Sequence, residues 1–148
     1  MGYNQAAYTA YRETSVKTAS QGKLIIMLYD ECIRQLAAAL EKFTVDNQIE
    51  PQNIEKFNNS ILKAQEVITE LTVSLDMEAG GEIAKNLLNL YMYFNQELLD
   101  ANVSRKTEKI IFVKEMMTQL RMTWAQVINS AAAAEIRDTV SNGVNITG

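Results

Sequence analysis

Glu66 and Glu70 stand one helical turn apart in "KAQEVITEL" and are the sharpest hint of chemistry in this chain. In a helical bundle, carboxylates at that spacing can hold a di-iron or di-manganese pair, but such sites also draw a Glu-x-x-His from two helices. The chain has no histidine and one cysteine, Cys32. Histidine-assisted metal sites, Cys/His zinc sites and Ser-His or Cys-His nucleophiles therefore cannot be built. Only a purely carboxylate site is left, and Glu66 and Glu70 flank an apolar seam as a solvated edge would. Gly80-Gly81 is the other candidate, as a phosphate cradle. A phosphate loop needs G-x-x-x-x-G-K-[ST], or G-x-G-x-x-G after a strand. Neither pattern is present. The pair is expected to make a corner between two helices, one glycine taking a positive φ after the first and the other opening the second. No enzyme activity, cofactor or metal is expected.

The elements that would hold such residues are helices. The chain has 148 residues, 47% of them hydrophobic, with six glycines and one proline. That length suits one domain, and so little Gly and Pro argues against many short strands. Ile25, Leu28, Cys32, Leu36, Ala39 and Phe43 recur three and four apart, predicting a helix over about 21–43. After the loop "TVDNQIEP", Pro51 suits a first helical turn. Ile54, Phe57, Ile61, Ala64, Ile68, Leu71 and Leu75 then form a heptad seam. A third helix starts at the glycine pair, with Ile83, Leu87, Leu90, Phe94, Leu98 and Ala101 as its core stripe. Ser104 is the expected cap of a fourth, whose stripe is Ile110, Val113, Met117, Leu120, Trp124, Val127, Ala131 and Ala134. Ser141-Asn142-Gly143 is read as its stop signal. The predicted fold is an all-α, antiparallel four-helix bundle over 19–135, with an N-terminal arm, 1–18, and a C-terminal helix extension and tail, 136–148.

Partner classes narrow in the same way. The net charge is -4, and Lys and Arg are scattered singly apart from Arg105-Lys106. A nucleic-acid binder would show a basic stripe, so none is expected. No apolar run reaches the roughly 18 residues of a membrane span. The start "MGYNQAAYTAYRET" does not read as a signal peptide, and a cytoplasmic protein is expected.

More apolar residues remain than one core can take. "LIIMLY", residues 24–29, covers a whole helix circumference, leaving Ile26, Met27 and Ile33 turned elsewhere. On the third helix Leu88, Met92, Tyr93 and Leu99 form a second stripe. Leu62, Met116 and Ile128 add to the surplus. A wide core with singly exposed residues accounts for some of these. The alternative is an apolar groove for a partner. Such a groove needs shielding when empty, and the arm, with Tyr3, Tyr8, Tyr11 and Val16 in polar surroundings, is the expected cover.

The blocks "TASQGKLIIMLYDECI" (18–33), "KAQEVITEL" (63–71), "LDMEAGGEIAKNLLNLYMYF" (75–94) and "LLDAN" (98–102), in that order, resemble the FliS family of flagellin export chaperones. The resemblance implies a bundle that binds the C-terminal region of flagellin, prevents its premature polymerisation and delivers it to the flagellar type III export gate. It also implies an arm that covers part of the site when empty. It places Tyr8, Tyr11, Ile26, Tyr29, Ile33, Tyr91, Tyr93 and Asn102 near the contact surface, beside Leu88, Met92 and Leu99 of the surplus stripe. Asn102 can equally serve as a helix C-terminal residue. Gln21-Gly22 replaces the Pro-Glu common in that family, and the tail after Ala131 runs past its usual end. The rival class is a helical-bundle adaptor or a self-associating structural protein using the same surface.

Overall fold

The computed structural model describes residues 21–147, with side chains described for 22–129. Four helices make up this part: α1 (Gln21–Leu40), α2 (Ile54–Val73), α3 (Gly81–Ser104) and α4 (Thr107–Thr147), with a 3-10 turn at Pro51–Asn53. Each helix packs on two neighbours, in the cycle α1–α2–α3–α4 and back to α1. Cross-contacts give the directions. Phe43 meets Phe57 and Cys32 meets Ala64, so α1 and α2 run antiparallel. Gly22 faces Ile128 and Asp30 faces Arg121, so α4 and α1 do too. The predicted all-α bundle is the fold.

The α2 seam is as expected: Phe57, Ile61, Ala64, Ile68 and Leu71 are buried, with Ile54 and Leu75 packed at its ends. Helix α1 stops three residues early, at Leu40. Thr44 N–H donates to the Gln48 carbonyl at 2.7 Å, Asn47 takes a left-handed φ of 57°, and Phe43 bridges to Ile49. This turn swings Phe43 edge-on to Phe57, at 5.3 Å between ring centroids, so it stays in the core without being helical. Ser104 does not cap α4. It ends α3 and its hydroxyl donates to the Asp100 carbonyl. Arg105 then reverses the chain in the left-handed region, φ 58°. Lys109, in the first turn of α4, holds the corner by pairing with Asp100 and lying 3.6 Å from Glu97. That hydrogen bond draws the Asp100 carboxyl below its usual range and lifts Lys109.

The glycine corner is built otherwise than expected. Gly80 keeps an ordinary φ of -80°, and the positive φ, 52°, falls on Gly81, where α3 begins. Gly80 is needed for space. A Cβ there would lie 2.6 Å from the Ala84 Cβ and 2.7 Å from the Asp76 carbonyl oxygen. Both neighbours are short or backbone atoms and cannot turn aside. Gly80→Ala is therefore expected to cost about 1–3 kcal/mol, the range for overpacking. Chemical denaturation reads it as a lower midpoint with unchanged slope.

Packing against α2 and α4 sets the phase of α3. Its buried residues are Ala84, Tyr91, Phe94, Leu98 and Ala101, with Leu87 half-buried between them. The predicted stripe thus holds at Leu87 and is displaced by one residue at two positions in the first half of the helix. Tyr91 replaces Leu90 in the core, and Ile83 is 71% exposed. On α4 the stripe holds at Ile110, Val113 and Met117, and Leu120 and Trp124 are partly buried against the core. Val127 is exposed, because Ile128 is the residue that meets Gly22 where α1 begins. Helix α4 runs through Ser141-Asn142-Gly143 to Thr147. Beyond Ile128 that adds about 28 Å of helix.

Candidate partner-binding surface

Three regions of the molecule present open apolar surface, and α3 borders all of them. The first is a groove between α2 and α3. Gln65 donates from Nε2 to the Asn95 carbonyl at 3.1 Å, which fixes the sides of the two helices that face each other. Along that border α3 presents Leu88, Met92, Asn95, Leu99 and Asn102, spaced four and three apart. Met92 is 62% exposed and Leu99 51%, while Leu88 is half-buried. Across from them α2 adds exposed Leu62 and Val73. Along this border apolar Leu88, Met92 and Leu99 alternate with polar Asn95 and Asn102, and exposed Lys85 stands one turn before Leu88. Such a groove is the form of site that takes the apolar face of a partner helix.

The second region lies on the far side of α3. Tyr93 is half exposed and sits edge-on to Phe112 of α4, with ring centroids 6.0 Å apart. Phe112 in turn packs against buried Phe94. The predicted surplus stripe is therefore two faces. Leu88, Met92 and Leu99 turn toward α2, and Tyr93 turns toward α4. Consecutive residues differ by about 100° around a helix, so Met92 and Tyr93 cannot share a groove.

The third is an open cavity of about 410 Å³ at the glycine corner. Ile25, Leu71, Leu75, Ile83, Leu87, Tyr91 and Trp124 supply its apolar lining, with Ser74 and Asp76 at its edge. Asp76 is occupied in shaping the corner, since its Oδ1 accepts from the N–H groups of Glu78 and Ala79. Gly22 is at its lip, one residue after the described chain begins.

Two residues expected at the contact surface lie inside. Tyr29 is 0% and Tyr91 2% exposed, and their hydroxyls hydrogen-bond to each other across the diagonal of the bundle. A buried phenol needs such a partner. Burial, reinforced by Tyr91, pushes the Tyr29 hydroxyl far above the ordinary tyrosine range, while the hydrogen bond from Trp124 pulls slightly the other way. Burial also raises Tyr91. Both stay neutral and tie α1 to α3. The surface expectation for these two is corrected: both rings belong to the core cluster, and each hydroxyl finds its partner inside it. Ile26 and Ile33 are half-buried, and Ile33 packs on the core, as does Met116. Ile128 is half-buried against Gly22, which has no side chain to hold it off. Asn102 is half-buried in the last turns of α3, its Oδ1 enclosed. Tyr8 and Tyr11, with the rest of the arm, lie outside the described residues.

Sequence reasoning missed Val73, Asn95 and Phe112. Phe112 was legible in the unbroken apolar run "IIFV", residues 110–113, where one helix face cannot bury every member. Asn95 carries no such signal. Among the described residues, no three Cys, Asp or Glu side chains are grouped to hold a metal ion, and no helix is long and apolar enough to cross a membrane. Cys32 is fully buried, and burial raises its thiol well above the usual range, so it is an inert core residue.

Comparison with known proteins gives the chain a family. Residues 3–131 match the model of "Flagellar protein FliS". The flagellar secretion chaperone FliS of Bacillus subtilis is 32% identical over 126 residues, which is 85% of this chain and 89% of that protein. The protein of the same name from Salmonella typhimurium is 31% identical over 140 residues, covering 91% and 99%. One from Campylobacter jejuni is 32% identical over 132 residues, covering 89% and 98%. With a family match over most of its length and relatives about 30% identical across most of both chains, this chain belongs to the FliS family, whose members are chaperones of flagellar secretion and not enzymes.

Proposed function

We propose that this protein binds the C-terminal region of flagellin in the α2/α3 groove, keeps it from polymerising, and hands it to the flagellar type III export gate in the cytoplasm. The observation that carries the reading is the stripe of half-buried Leu88 and exposed Met92 and Leu99, facing Leu62 and Val73, in a chain of this family. A flagellin tail that assembles through apolar helix faces is aggregation-prone alone. A groove of matching polarity covers those faces, and the ordering of the tail on binding limits net affinity. No bond is made or broken. The arm, residues 1–18 with Tyr8 and Tyr11, acts in this reading as a cover that the tail displaces. The cavity is a candidate seat for it, since Gly22, a few residues along the chain from the arm, is at its lip. Tyr93 with Phe112 offers a second contact for a tail that wraps.

The test is titration of the full chain with a peptide spanning the C-terminal region of flagellin, followed by heat of binding and by size. A saturable complex of one chain and one peptide is expected. Absence of binding, alongside a tight homodimer, would replace this reading with the self-associating or adaptor one.

A further inference from the structure

On the α2/α3 groove, two side-chain oxygens stand out: Oδ1 of Asn95 and Oδ1 of Asn102 are buried and have no hydrogen-bond partner among the described residues. Buried carbonyl oxygens are nearly always paired, and an unpaired one costs stability. Two on one helix face ask for a reason.

The network around Asn95 shows why its oxygen is the atom left over. Thr69 spends its single hydroxyl proton on the Gln65 carbonyl at 3.0 Å. Toward Asn95 it can therefore only accept, and Asn95 Nδ2 donates to it at 3.5 Å. Gln65 Nε2 donates to the Asn95 main-chain carbonyl at 3.1 Å. The amide end of Asn95 is thus turned toward α2, and its donors meet acceptors while its carbonyl meets none. The 3.5 Å link is long, and the terminal torsion of asparagine is soft. The carboxamide can turn outward at little cost when a donor arrives.

Asn95 and Asn102 are seven residues apart, so their oxygens repeat at about 10.5 Å along α3. Any helix lying along the groove has the same rise, and its side chains on one face recur at the same interval every seven residues. We infer that Asn95 and Asn102 are specificity residues of the groove, accepting hydrogen bonds from donor side chains (Gln, Asn, Ser, Thr or Lys) seven residues apart on a docked flagellin helix. The inference rests on the flagellin-binding reading above. Leu88, Met92 and Leu99 would bind any apolar helix. A helix with donors at that spacing gains two hydrogen bonds that an apolar one does not, which is the preference the asparagines supply.

The experiment is calorimetric titration of full-length Asn95→Leu, Asn102→Leu and the double variant with the flagellin C-terminal peptide, beside thermal unfolding of each variant alone. Each single variant is expected to bind about five- to tenfold more weakly, as loss of one hydrogen bond implies. Each is expected to unfold at the wild-type temperature or above, since an unpaired polar group has gone. Opposite signs in the two measurements separate recognition from a structural role. Asn95→Ala repeats the test with less bulk should leucine disturb the fold. Lower stability with unchanged affinity would overturn the inference and leave the groove reading intact, provided Met92→Asp still abolishes binding. If Met92→Asp binds normally, the groove reading fails and the inference goes with it.

Discussion

Met92→Asp is expected to abolish binding of the flagellin tail while leaving the bundle intact. Met92 is 62% exposed on the α3 stripe, between half-buried Leu88 and exposed Leu99. In the free protein the new carboxylate faces water and asks nothing of the core, so helicity and melting temperature should change little. Surface substitutions of this kind stay within about 0.5 kcal/mol. In the complex, the carboxylate would be enclosed against an apolar helix face with no cation to pair it. Uncompensated burial of that kind makes the site a hot spot, worth at least about 2 kcal/mol, or roughly thirtyfold in affinity. Titration calorimetry and circular dichroism on one preparation decide it. Wild-type affinity in the variant would move the site away from this groove. Tyr93→Asp then becomes the informative comparison, since Tyr93 faces α4 and Phe112.

Tyr29→Ala is expected to act in the opposite sense, on folding first. Tyr29 is fully buried and reaches Tyr91 across the bundle diagonal. Truncation removes the largest side chain of α1's core face and strands the Tyr91 hydroxyl. Loss of a buried aromatic ring costs about 3–5 kcal/mol, against a total stability of about 5–15 kcal/mol for a domain. For a chain of this size the melting temperature should fall by about 10 °C or more. Tyr29→Phe isolates the polar part. It keeps the ring, leaves one buried hydroxyl without its partner, and should cost about 1–3 kcal/mol. Tail affinity should be unchanged in Tyr29→Phe wherever the protein is folded. A large loss of affinity at unchanged stability would return Tyr29 to the contact surface.

These two residues show what was readable beforehand and what was not. Both belong to apolar runs, "LIIMLY" and "LYMYF", in which every residue suits a core. Hydropathy says that some of each run must point outward, and it cannot say which. In "LYMYF", residues 90–94, the structure buries Tyr91 and Phe94, half-buries Leu90, and exposes Met92 and Tyr93. The choice is made by the packing of α3 against α2 and α4, which turns Tyr91 and Phe94 inward. The same holds for α4, where Gly22 admits Ile128 and leaves Val127 outside.

By itself the sequence determined the helix count, the long apolar seams, the corner at Gly80-Gly81 and the lack of the histidines that common bundle chemistry needs. These follow from local periodicity and from residue types, which need no neighbour to be read. Tertiary structure decided which apolar residues are core and which are surface. It also divided one surplus stripe into an α2-facing groove and an α4-facing aromatic pair, joined Tyr29 to Tyr91, and left two asparagine oxygens without donors among the described residues. Each of these depends on the rotation of one helix against another, and a rotation of about 100° separates neighbours that are chemically alike.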